Sequence, residues 1–475
     1  MLYLGVDTGG TFTDFLLFDD TSGRLSIHKV LSTPAAPEHA ILQGIADLGI
    51  DTTDLLLVHG STVATNAVLE GKGVSTAYIT NRGLADVLTI GRQARKELYN
   101  LQPYKPAPLI PPELCLEVDS RLSADGEAIT RMDDAGLDDL CAQLEALAPR
   151  SVAINLLFSF IDDSEEKRIE SSMLDHGMEH VFISRSSDVL PEYKEYERGI
   201  TTTLNAYVGP LMQGYLRKLE QNAPGCRLAV MQSSGGTASA HQAGRYPVQL
   251  LLSGPAGGLK GAQFTAARSG FERLLSFDMG GTSTDVSIID REIGFTTEGH
   301  IGEYPVAVPM VDMHTIGAGG GSIARVDAGG MLLVGPESAG ADPGPACYGK
   351  GGSRATVTDA NVVLGRLLPD AFLGGRMTLD SKKSGQAVEA VAKDLGMSVF
   401  EAASGIIDVV NDHMVRALRV MSVQRGEDPK DYTLVSFGGA GGLHVCALAD
   451  ALQMRRAPVS YTHLTLPTIV RECRA

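Results

Sequence analysis

One eight-residue motif occurs twice in this chain, and each copy lies between two short apolar segments. The first copy is DTGGTFTD at residues 7–14, and the second is DMGGTSTD at residues 278–285. Apolar segments on both sides of a Gly-Gly turn predict two β-hairpins. Paired glycines let backbone N–H groups approach a ligand closely, and threonine hydroxyls add donors, so the motif is typical of a phosphate-binding turn. A tight turn without a ligand is the alternative for either copy alone.

The two copies are too far apart in the sequence to belong to a repeat array. They begin at Asp7 and Asp278, whereas solenoids and propellers repeat every ~20–50 residues. The recurrence therefore predicts a duplicated domain whose two turns serve one nucleotide. Alternating strand and helix patterns predict an α/β fold. We expect one domain at 1–188, a second at 189–457 and a separate tail at 458–475.

Composition limits the classes of function. The chain has 475 residues, 44% of them apolar, which suits about three domain-sized units. A net charge of −17 disfavours a general nucleic-acid or anionic-membrane surface. The longest apolar segment, Val152–Ile161, is too short to span a bilayer. Six scattered cysteines without a Cys-x-x-Cys pair indicate neither a zinc ribbon nor a disulfide framework. We expect a cytoplasmic protein with no nucleic-acid or membrane partner.

Two segments differ from the regular α/β pattern. Residues 92–131 contain five prolines and little periodicity, which predicts a long surface arm. Residues 438–442, GGAGG, follow an apolar strand pattern and precede a helix pattern. A glycine loop at a helix N-terminus suits the phosphates or ribose of a nucleotide. A strand-to-helix turn with no ligand is the alternative.

Several further segments are similar to those of one protein family. They are LVHGSTVATN at 57–66, IGRQ at 90–93, PEYKEYER at 191–198, TTLNAYV at 202–208, QSSGG at 232–236, SGPAGG at 253–258, TIGAGGGS at 315–322, DPGPACYG at 342–349 and SVQRG at 422–426. With the twin motif, they resemble the hydantoinase A and 5-oxoprolinase family, which includes acetone carboxylase β subunits. The resemblance covers residues 1 to about 457. It implies a two-lobed actin-like ATPase fold, related to ribonuclease H, with duplicated β-hairpin phosphate loops.

The resemblance also implies a chemistry. Members of this family use ATP and Mg²⁺ to phosphorylate an amide or carbonyl oxygen, and a hydantoinase B-type partner usually completes the hydrolysis. Hydantoins and 5-oxoproline are the typical cyclic-amide substrates. The leading hypothesis is therefore a subunit of an ATP-dependent cyclic-amide hydrolase. The β subunit of an acetone-type carboxylase is one alternative, and a non-enzymatic ATP-gated switch of the actin or chaperone type is another.

Carboxylates stand at both ends of each motif. Asp7 and Asp278 close the strands that enter the turns, where a hydrated Mg²⁺ would take one or two carboxylates. We expect Asp14 and Asp285 to act as outer-shell or turn-stabilising carboxylates of the metal site. The predicted nucleotide-binding residues are Gly9, Gly10, Thr11, Thr13, Gly280, Gly281, Thr282, Thr284, Gly319, Gly320, Gly438, Gly439, Gly441 and Gly442.

Four residues are candidates for catalysis. Asp312 and His314 precede a glycine run, and on a strand their i, i+2 spacing would direct both side chains the same way, as an acid–base pair or as ligands of a second metal. Arg92 could orient a substrate carbonyl or carboxylate through its guanidinium fork, or form a salt bridge. His59 lies in a family segment, and a structural core histidine is its alternative role.

The sequence departs from the family pattern after Ala457. Residues 459–468, VSYTHLTLPT, resemble the translation of a transposase adapter used in sequencing libraries. We expect a non-native tail on a C-terminally truncated chain, and an enzyme that is inactive without its B partner and the missing region. His463 and Cys473 are therefore left out of the predicted site.

Overall fold

The computed structural model divides the chain into two compact units. Unit 1 comprises Met1–Ala256 and Phe295–Met310, and unit 2 comprises Gly257–Gly294 and the residues from Val311 onward. Two predicted nucleotide-binding residues, Gly10 and Thr11, and the predicted tail after Pro458 lie outside the described residues. The structure describes residues 1–9, 12–33, 36–94, 99–102, 107–375 and 377–458.

Helices and strands alternate along the described residues. The helices are α1 Pro37–Asp47, α2 Val63–Leu69, α3 Val87–Ile90, α4 Asp134–Leu147, α5 Ser164–Asp175, α6 Ser186–Val189, α7 Glu195–Asn222, α8 Ala240–Arg245, α9 Ser253–Arg268, α10 Val357–Val363, α11 Ser381–Leu395, α12 Val399–Met421 and α13 Val445–Ala451. Within the described part of the chain, none of them is long and apolar enough to cross a membrane.

The strands are mostly short, and the four that carry the two motifs have seven or eight residues. They are β1 Leu2–Thr8, β2 Phe12–Asp19, β3 Arg24–Leu31, β4 Leu55–Ser61, β5 Thr76–Asn81, β6 Cys115–Val118, β7 Arg121–Leu122, β8 Ala128–Thr130, β9 Ser151–Asn155, β10 Phe182–Arg185, β11 Arg227–Met231, β12 Thr237–Ser239, β13 Arg273–Met279, β14 Thr284–Asp290, β15 Glu292–Ile293, β16 Phe295–Thr296, β17 Gly299–Ile301, β18 Tyr304–Val306, β19 Met310–Val311, β20 His314–Ile316, β21 Ser322–Val326, β22 Leu332–Ser338 and β23 Thr433–Phe437.

Unit 1 is built on a six-stranded sheet with the order β12-β11-β4-β1-β2-β3. Strand β1 pairs antiparallel with β2 and parallel with β4, which places the first glycine turn beside the end of β4. One face of the sheet forms a core with helices α1 and α7. The Phe15 ring lies directly on Gly44 of α1, where an added Cβ atom would be 2.1 Å from the ring. A side chain at Gly44 would therefore force the helix away from the sheet.

A second sheet of unit 1 is parallel and has the order β10-β9-β5-β6. It forms a separate core with α4 and α5. Strand β6 lies inside the segment predicted to be a surface arm, and its Leu116 and Val118 are buried. The arm prediction is wrong here because pairing with β5, a tertiary contact, overrides local composition. Tyr99 and Leu101 are 96% and 98% exposed, as an arm requires.

Helix α7 belongs to unit 1, although the sequence suggests a domain boundary near residue 189. Its residues Leu204, Val208 and Met212 lie in the unit 1 core. Arg198 is fully buried and donates to Asn155 Oδ1 at 3.0 Å and to the Leu156 carbonyl at 2.8 Å. These hydrogen bonds hold α7 against the end of β9. The compact unit therefore continues past α7 to Ala256.

Unit 2 is built on a sheet with the order β15-β14-β13-β23, to which β20 adds by pairing with β14. Strand β13 pairs antiparallel with β14 and parallel with β23. Helices α10, α11 and α12 pack on one face of this sheet, in a core that includes Phe277, Met414 and Leu418. The second glycine turn lies beside the end of β23, as the first lies beside the end of β4.

The duplication extends from the motifs to four strands in each unit. The strands β4-β1-β2-β3 of unit 1 and β23-β13-β14-β20 of unit 2 have the same order and the same relative directions. Both motifs occupy the same hairpin of this four-strand pattern. The prediction of an α/β fold with a glycine hairpin in each of two units is confirmed.

Candidate functional site

The glycine hairpin of unit 2 is joined by the glycine run that follows β20. The turn itself closes with a hydrogen bond from Gly280 N to the Ser283 carbonyl at 3.0 Å. Gly320 N then donates to the Gly280 carbonyl at 3.0 Å, and Gly321 N donates to the Gly281 carbonyl at 2.6 Å. The run 317–321 therefore fixes the backbone of the turn.

The loop after β23 is the third segment at this hairpin. Ala440 N donates to the Met279 carbonyl at 3.0 Å. Gly438 has φ +82°, and an added Cβ atom would be 2.0 Å from Asp278 Oδ1. Only glycine tolerates both the left-handed backbone and this closeness to the carboxylate. Three glycine segments of one unit therefore meet at this hairpin, and the loop after β23 lies against Asp278.

Burial separates the predicted nucleotide-binding glycines into two groups. Gly319 and Gly320 are buried, and a Cβ atom on Gly319 would lie 2.7 Å from backbone atoms of Gly281. In contrast, Gly281, Thr282 and Gly439 are exposed or half-exposed to solvent. These three residues can offer backbone N–H groups to a ligand, while the buried ones support the turn from below.

The motif threonines at the start of the returning strands are both buried. Thr284 Oγ1 donates to the Ala318 carbonyl, and Thr13 Oγ1 shares a 3.0 Å hydrogen bond with Ser32 Oγ. Ser32 in turn donates to the Gly9 carbonyl at 2.7 Å. Both hydroxyls are therefore engaged inside their own units, where they anchor the turns.

The other predicted loop glycines have different surroundings. Gly441 is buried, and an added Cβ atom would be 2.3 Å from Ser436 Oγ, so its role is close packing. Gly442 is half-buried in a short 3-10 turn that leads into α13. In unit 1, Thr62 Oγ1 donates to the Thr8 carbonyl at 3.0 Å. This bond matches the one from Ala440 to Met279 in unit 2, since Thr8 and Met279 are equivalent in the two motifs.

The four motif carboxylates also fall into two groups. Asp14 forms a salt bridge with Lys29 at 2.8 Å, and Asp285 accepts a hydrogen bond from Thr315. Burial raises the pKa of Asp285, and the bond from Thr315 opposes that effect. Both carboxylates are thus bonded to the neighbouring strand, as a turn-stabilising role requires.

The first carboxylates of the motifs lie at the turns. Asp7 is exposed and Asp278 is half-buried. Within the described residues, no group of three or more His, Cys, Asp or Glu side chains could hold a metal ion. A cage for a dehydrated cation is therefore missing from that part of the chain. A hydrated Mg²⁺, which keeps most of its waters and needs only one or two carboxylates, fits a single carboxylate such as Asp278 in unit 2 or Asp7 in unit 1.

The expected Asp312–His314 pair does not lie on one strand. Strand β19 ends at Val311 and β20 begins at His314, so the i, i+2 argument fails. Asp312 instead forms a two-pronged ion pair with Arg425, one contact of which is 3.1 Å. Both oxygens of the Asp312 carboxylate are therefore engaged by Arg425. His314 remains half-buried on β20.

His59 is a core histidine. Its side chain is not accessible to a substrate, as a catalytic role would require. It is fully buried on β4, and its Nε2 lies 2.6 Å from the Tyr215 hydroxyl. Burial lowers the pKa of His59 to about 4, so the ring is neutral near pH 7. It has no route to a substrate from this position.

Arg92 forms a salt bridge, which is one of the two roles predicted for it from the sequence. Its Nε donates to Glu197 Oε1 at 2.8 Å, and its second nitrogen donates to Oε2 at 2.5 Å. The guanidinium also lies 6.0 Å from the centroid of the Tyr196 ring. Arg92 is more than half exposed, so a substrate carboxylate would have to displace Glu197.

Sequence reasoning missed the buried carboxylate that organises the segment 342–349. Asp359 accepts hydrogen bonds from Cys347 N at 2.9 Å, Ala346 N at 3.1 Å and Ser384 Oγ at 2.8 Å. It also completes a capping box with Thr356 at the start of α10. The TVTD sequence at 356–359 has the spacing of a capping box and could have indicated this helix start. Burial raises the pKa of the Cys347 thiol, which agrees with a loop residue rather than a nucleophile.

Comparison with known sequences gives matches along nearly the whole chain. The caprolactamase subunit alpha of Pseudomonas jessenii is 37% identical over 467 residues, which is 94% of this chain and 67% of the relative. The acetophenone carboxylase gamma subunit of Aromatoleum aromaticum is 34% identical, and the match covers 94% of this chain and 64% of that relative. 5-Oxoprolinase 1 of Arabidopsis thaliana is 34% identical, with coverage of 96% and 40%. The chain thus spans about two thirds of the bacterial relatives and less than half of the plant enzyme.

Two solved structures are similar over 96% of this chain and 68% of their own. The ATP-dependent caprolactamase from Pseudomonas jessenii has a TM-score of 0.82 at 36% identity. The nucleotide-free acetone carboxylase has a TM-score of 0.81 at 29% identity. Residues 3–177 match the hydantoinase/oxoprolinase N-terminal region and residues 198–466 match the hydantoinase/oxoprolinase domain. This chain therefore belongs to the hydantoinase/oxoprolinase family.

Proposed function

We propose that this chain is the nucleotide-binding subunit of an ATP-dependent enzyme that phosphorylates the carbonyl oxygen of a cyclic amide before the ring opens. The observation that carries the proposal is the meeting of three glycine segments at the hairpin of unit 2, in a chain of the hydantoinase/oxoprolinase family. The accessible Gly281, Thr282 and Gly439 are the residues we assign to phosphate contacts in unit 2. Within unit 2, Asp278 is assigned to a hydrated Mg²⁺, and Asp7 is the equivalent candidate within unit 1.

The chemistry explains why a cyclic amide needs ATP. Amide resonance makes the ring carbonyl a poor electrophile, so water attacks it slowly. Transfer of the γ-phosphoryl group forms a bond between phosphorus and the carbonyl oxygen and releases ADP. Water then adds to the activated carbon and the ring C–N bond breaks, which leaves an acyl phosphate and a free amine. A second water attacks the acyl carbon, and the phosphate leaves with the original carbonyl oxygen. Net charge on the phosphates must be neutralised throughout, which is the role of bound Mg²⁺ in phosphoryl transfer.

The residues of this chain contribute mainly by positioning. Backbone N–H groups on a fixed turn stabilise developing negative charge without reorganising. The bonds from Gly320 and Gly321 to the turn supply that rigidity. His314 stays a candidate for proton transfer because it is half-buried next to the hairpin strand β14. Arg92 is assigned to substrate orientation, with Glu197 as the group it must exchange for the substrate.

Relatives support the hydrolase hypothesis over the carboxylase hypothesis by a small margin. The caprolactamase chain is 37% identical, and the acetophenone carboxylase chain is 34% identical. Both of those names describe one subunit of an assembly, which supports a B-type partner for this chain. The β subunit of an acetone-type carboxylase stays the second candidate, because the acetone carboxylase structure is nearly as similar as the caprolactamase structure.

A substrate panel with the partner present tests the proposal. The chain and a B-type subunit from the same source are produced together and given ATP, Mg²⁺ and either hydantoin, 5-oxoproline or caprolactam. The expected result is phosphate release that depends on one of the cyclic amides and is matched by ring-opened product. Release that requires a ketone and bicarbonate would favour the carboxylase. Nucleotide binding with no turnover under any condition would favour an ATP-gated switch.

A further inference from the structure

The outer side of strands β1, β2 and β3 carries large apolar side chains that are open to solvent. Leu16, Leu25 and Ile27 are 39–63% exposed, and Tyr3 is 36% exposed. Phe18 is half-buried because its ring lies 6.2 Å from that of Tyr3. We call this set the outer apolar face, and it consists of Tyr3, Leu16, Phe18, Leu25 and Ile27.

Strand register makes this face contiguous. Phe18 pairs with both Tyr3 and Leu25, and Leu16 pairs with Ile27. Paired residues point to the same side of a sheet, and their Cβ atoms lie about 5 Å apart. The alternate residues of the same strands, such as Leu4 and Phe15, lie in the core with α1 and α7. Both sides of these three strands are therefore apolar, but the described residues cover only one of them.

In unit 2, the corresponding side of the duplicated strands is covered. The motif register makes Tyr3 equivalent to Leu274 and Phe18 equivalent to Ile289, and both unit 2 residues are fully buried. Leu16 is equivalent to Ser287, which is 2% exposed.

Helix α9 packs on this side of the unit 2 sheet. A Cβ atom on Gly258 would be 2.7 Å from the Phe437 ring. Phe437 pairs with Asp278, so its side chain lies on the same side of the sheet as that of Leu274. The residues of α9 that follow, Leu259 and Ala262, are 1% and 3% exposed. The unit 2 sheet therefore has a helix on the side that is bare in unit 1.

We propose that the outer apolar face of unit 1 docks an amphipathic helix from the additional third of polypeptide by which the bacterial relatives exceed this chain. Their matched parts are 67% and 64% of their length, so enough sequence remains to supply such a helix. Helices are the usual cover for an α/β sheet, and α9 provides the internal precedent. A patch of this kind rarely stays exposed in a soluble protein.

The polar end of the same face defines the orientation of the docked helix. Beyond Ile27, the next row of the face is formed by Asp7, Asp14 and Lys29. The apolar side of a docked helix can cover the row of residues that contains Tyr3 and the row that contains Leu16. It must end before the row of charged residues. The docked helix would therefore stop close to Asp7 and shield the strand that carries it.

Cysteine labelling tests the docking. Ile27→Cys is introduced into a Cys446→Ser background, because Cys446 is exposed, and Phe400→Cys on unit 2 is the control, since Phe400 is 62% exposed. Each variant is alkylated alone and as a fusion to the unmatched third of the caprolactamase subunit alpha. We expect the Ile27→Cys variant to be labelled at least about tenfold more slowly in the fusion, as for a site reached only by local opening. Labelling of the Phe400→Cys variant should not change.

A second arm uses an intact relative, so that misfolding of the fusion cannot hide the answer. The residue aligned with Ile27 in full-length caprolactamase subunit alpha is replaced by cysteine, and its labelling is compared in native and denatured protein. Protection in the native subunit is expected, and labelling at the denatured rate would overturn the proposal. Dimerisation of the present chain in sedimentation that Ile27→Glu abolishes would also overturn it, because the occupant would then be a second copy.

Discussion

Each motif ends in a carboxylate bonded to the neighbouring strand and begins with one that lies at the turn. Asp14 and Asp285 are held by Lys29 and Thr315. The Asp278 carboxylate instead lies close to Gly438. The last carboxylate of each motif is thus bonded to the next strand, and the first carboxylate stays the candidate metal ligand.

Replacing the two carboxylates of the second motif should have unequal effects. Asp278→Asn removes the charge assigned to Mg²⁺, and the loss of a charged hydrogen-bonding group costs about 1.5–3 kcal/mol, or roughly 10–100-fold in affinity. Asp285→Asn keeps an acceptor for Thr315 and should change affinity about twofold or less, since burial already raises the pKa of Asp285. Calorimetric titration of ATP with Mg²⁺ and with EDTA measures both. Equal losses in the two variants would contradict the assignment.

His59 should make the protein sensitive to acid. Its folded-state pKa of about 4 lies below the ordinary value of 6.5, so the unfolded chain takes up the proton first. Stability is then fully present above pH 6.5 and falls as the pH drops toward 4, by up to about 3 kcal/mol. His59→Gln should be less stable at pH 7 yet lose less between pH 7 and 5.

Urea titrations at several pH values, followed by circular dichroism, test this prediction. His241→Gln is the matched control, because His241 is exposed. The control should keep the full acid sensitivity of the parent chain. An unchanged pH dependence in His59→Gln would mean that the buried ring is not the group that titrates. His444, whose pKa burial also lowers to about 4, would then be the next residue to replace.

At the scale of elements, the loop after β23 holds the hairpin through one glycine. Gly438→Ala places a Cβ atom on Asp278 and strains a positive φ, whereas Gly439→Ala meets no atom within 4 Å. The first change should cost at least about 1 kcal/mol, or roughly 2–4 °C in unfolding temperature. It should also weaken ATP binding by displacing Asp278. Gly439→Ala should leave the unfolding temperature unchanged.

Thermal unfolding and ATP titration of both variants check this contrast. Two equally stable proteins would show that the contact between Gly438 and Asp278 does not constrain the loop. A loss of stability in Gly438→Ala without any change in ATP affinity would separate the loop from the nucleotide site. Either result would remove the main structural support for the phosphate-binding assignment.

Local sequence predicted the elements well and their tertiary partners poorly. The sequence pattern at residues 399–422 predicts a helix, and α12 spans Val399–Met421, because helical periodicity is a local signal. The burial of Gly319 under Gly281 depends on a contact between distant segments, and so does the ion pair between Asp312 and Arg425. No single-sequence pattern encodes such pairings, so the glycine runs could be found but not sorted into ligand-facing and supporting ones.

At the scale of the whole molecule, duplication accounts for the two glycine hairpins and draws attention to the uncovered side of the unit 1 sheet. Four strands with one order carry each motif, and the loop beside the hairpin is bonded to equivalent carbonyls, those of Thr8 and Met279. The two copies differ in what packs on this side of the sheet. Helix α9 covers it in unit 2, whereas the described residues leave it exposed to solvent in unit 1. Family membership and the glycine assembly together support ATP chemistry on a cyclic amide.

Oxygen tracing tests that chemistry most directly. A cyclic amide labelled with ¹⁸O in its ring carbonyl is turned over by the chain with its partner subunit, ATP and Mg²⁺, and the released phosphate is analysed by mass spectrometry. Phosphorylation of the carbonyl oxygen predicts one ¹⁸O atom in each phosphate for each ring opened. Unlabelled phosphate, with all of the ¹⁸O kept in the ring-opened carboxylate, would contradict the account.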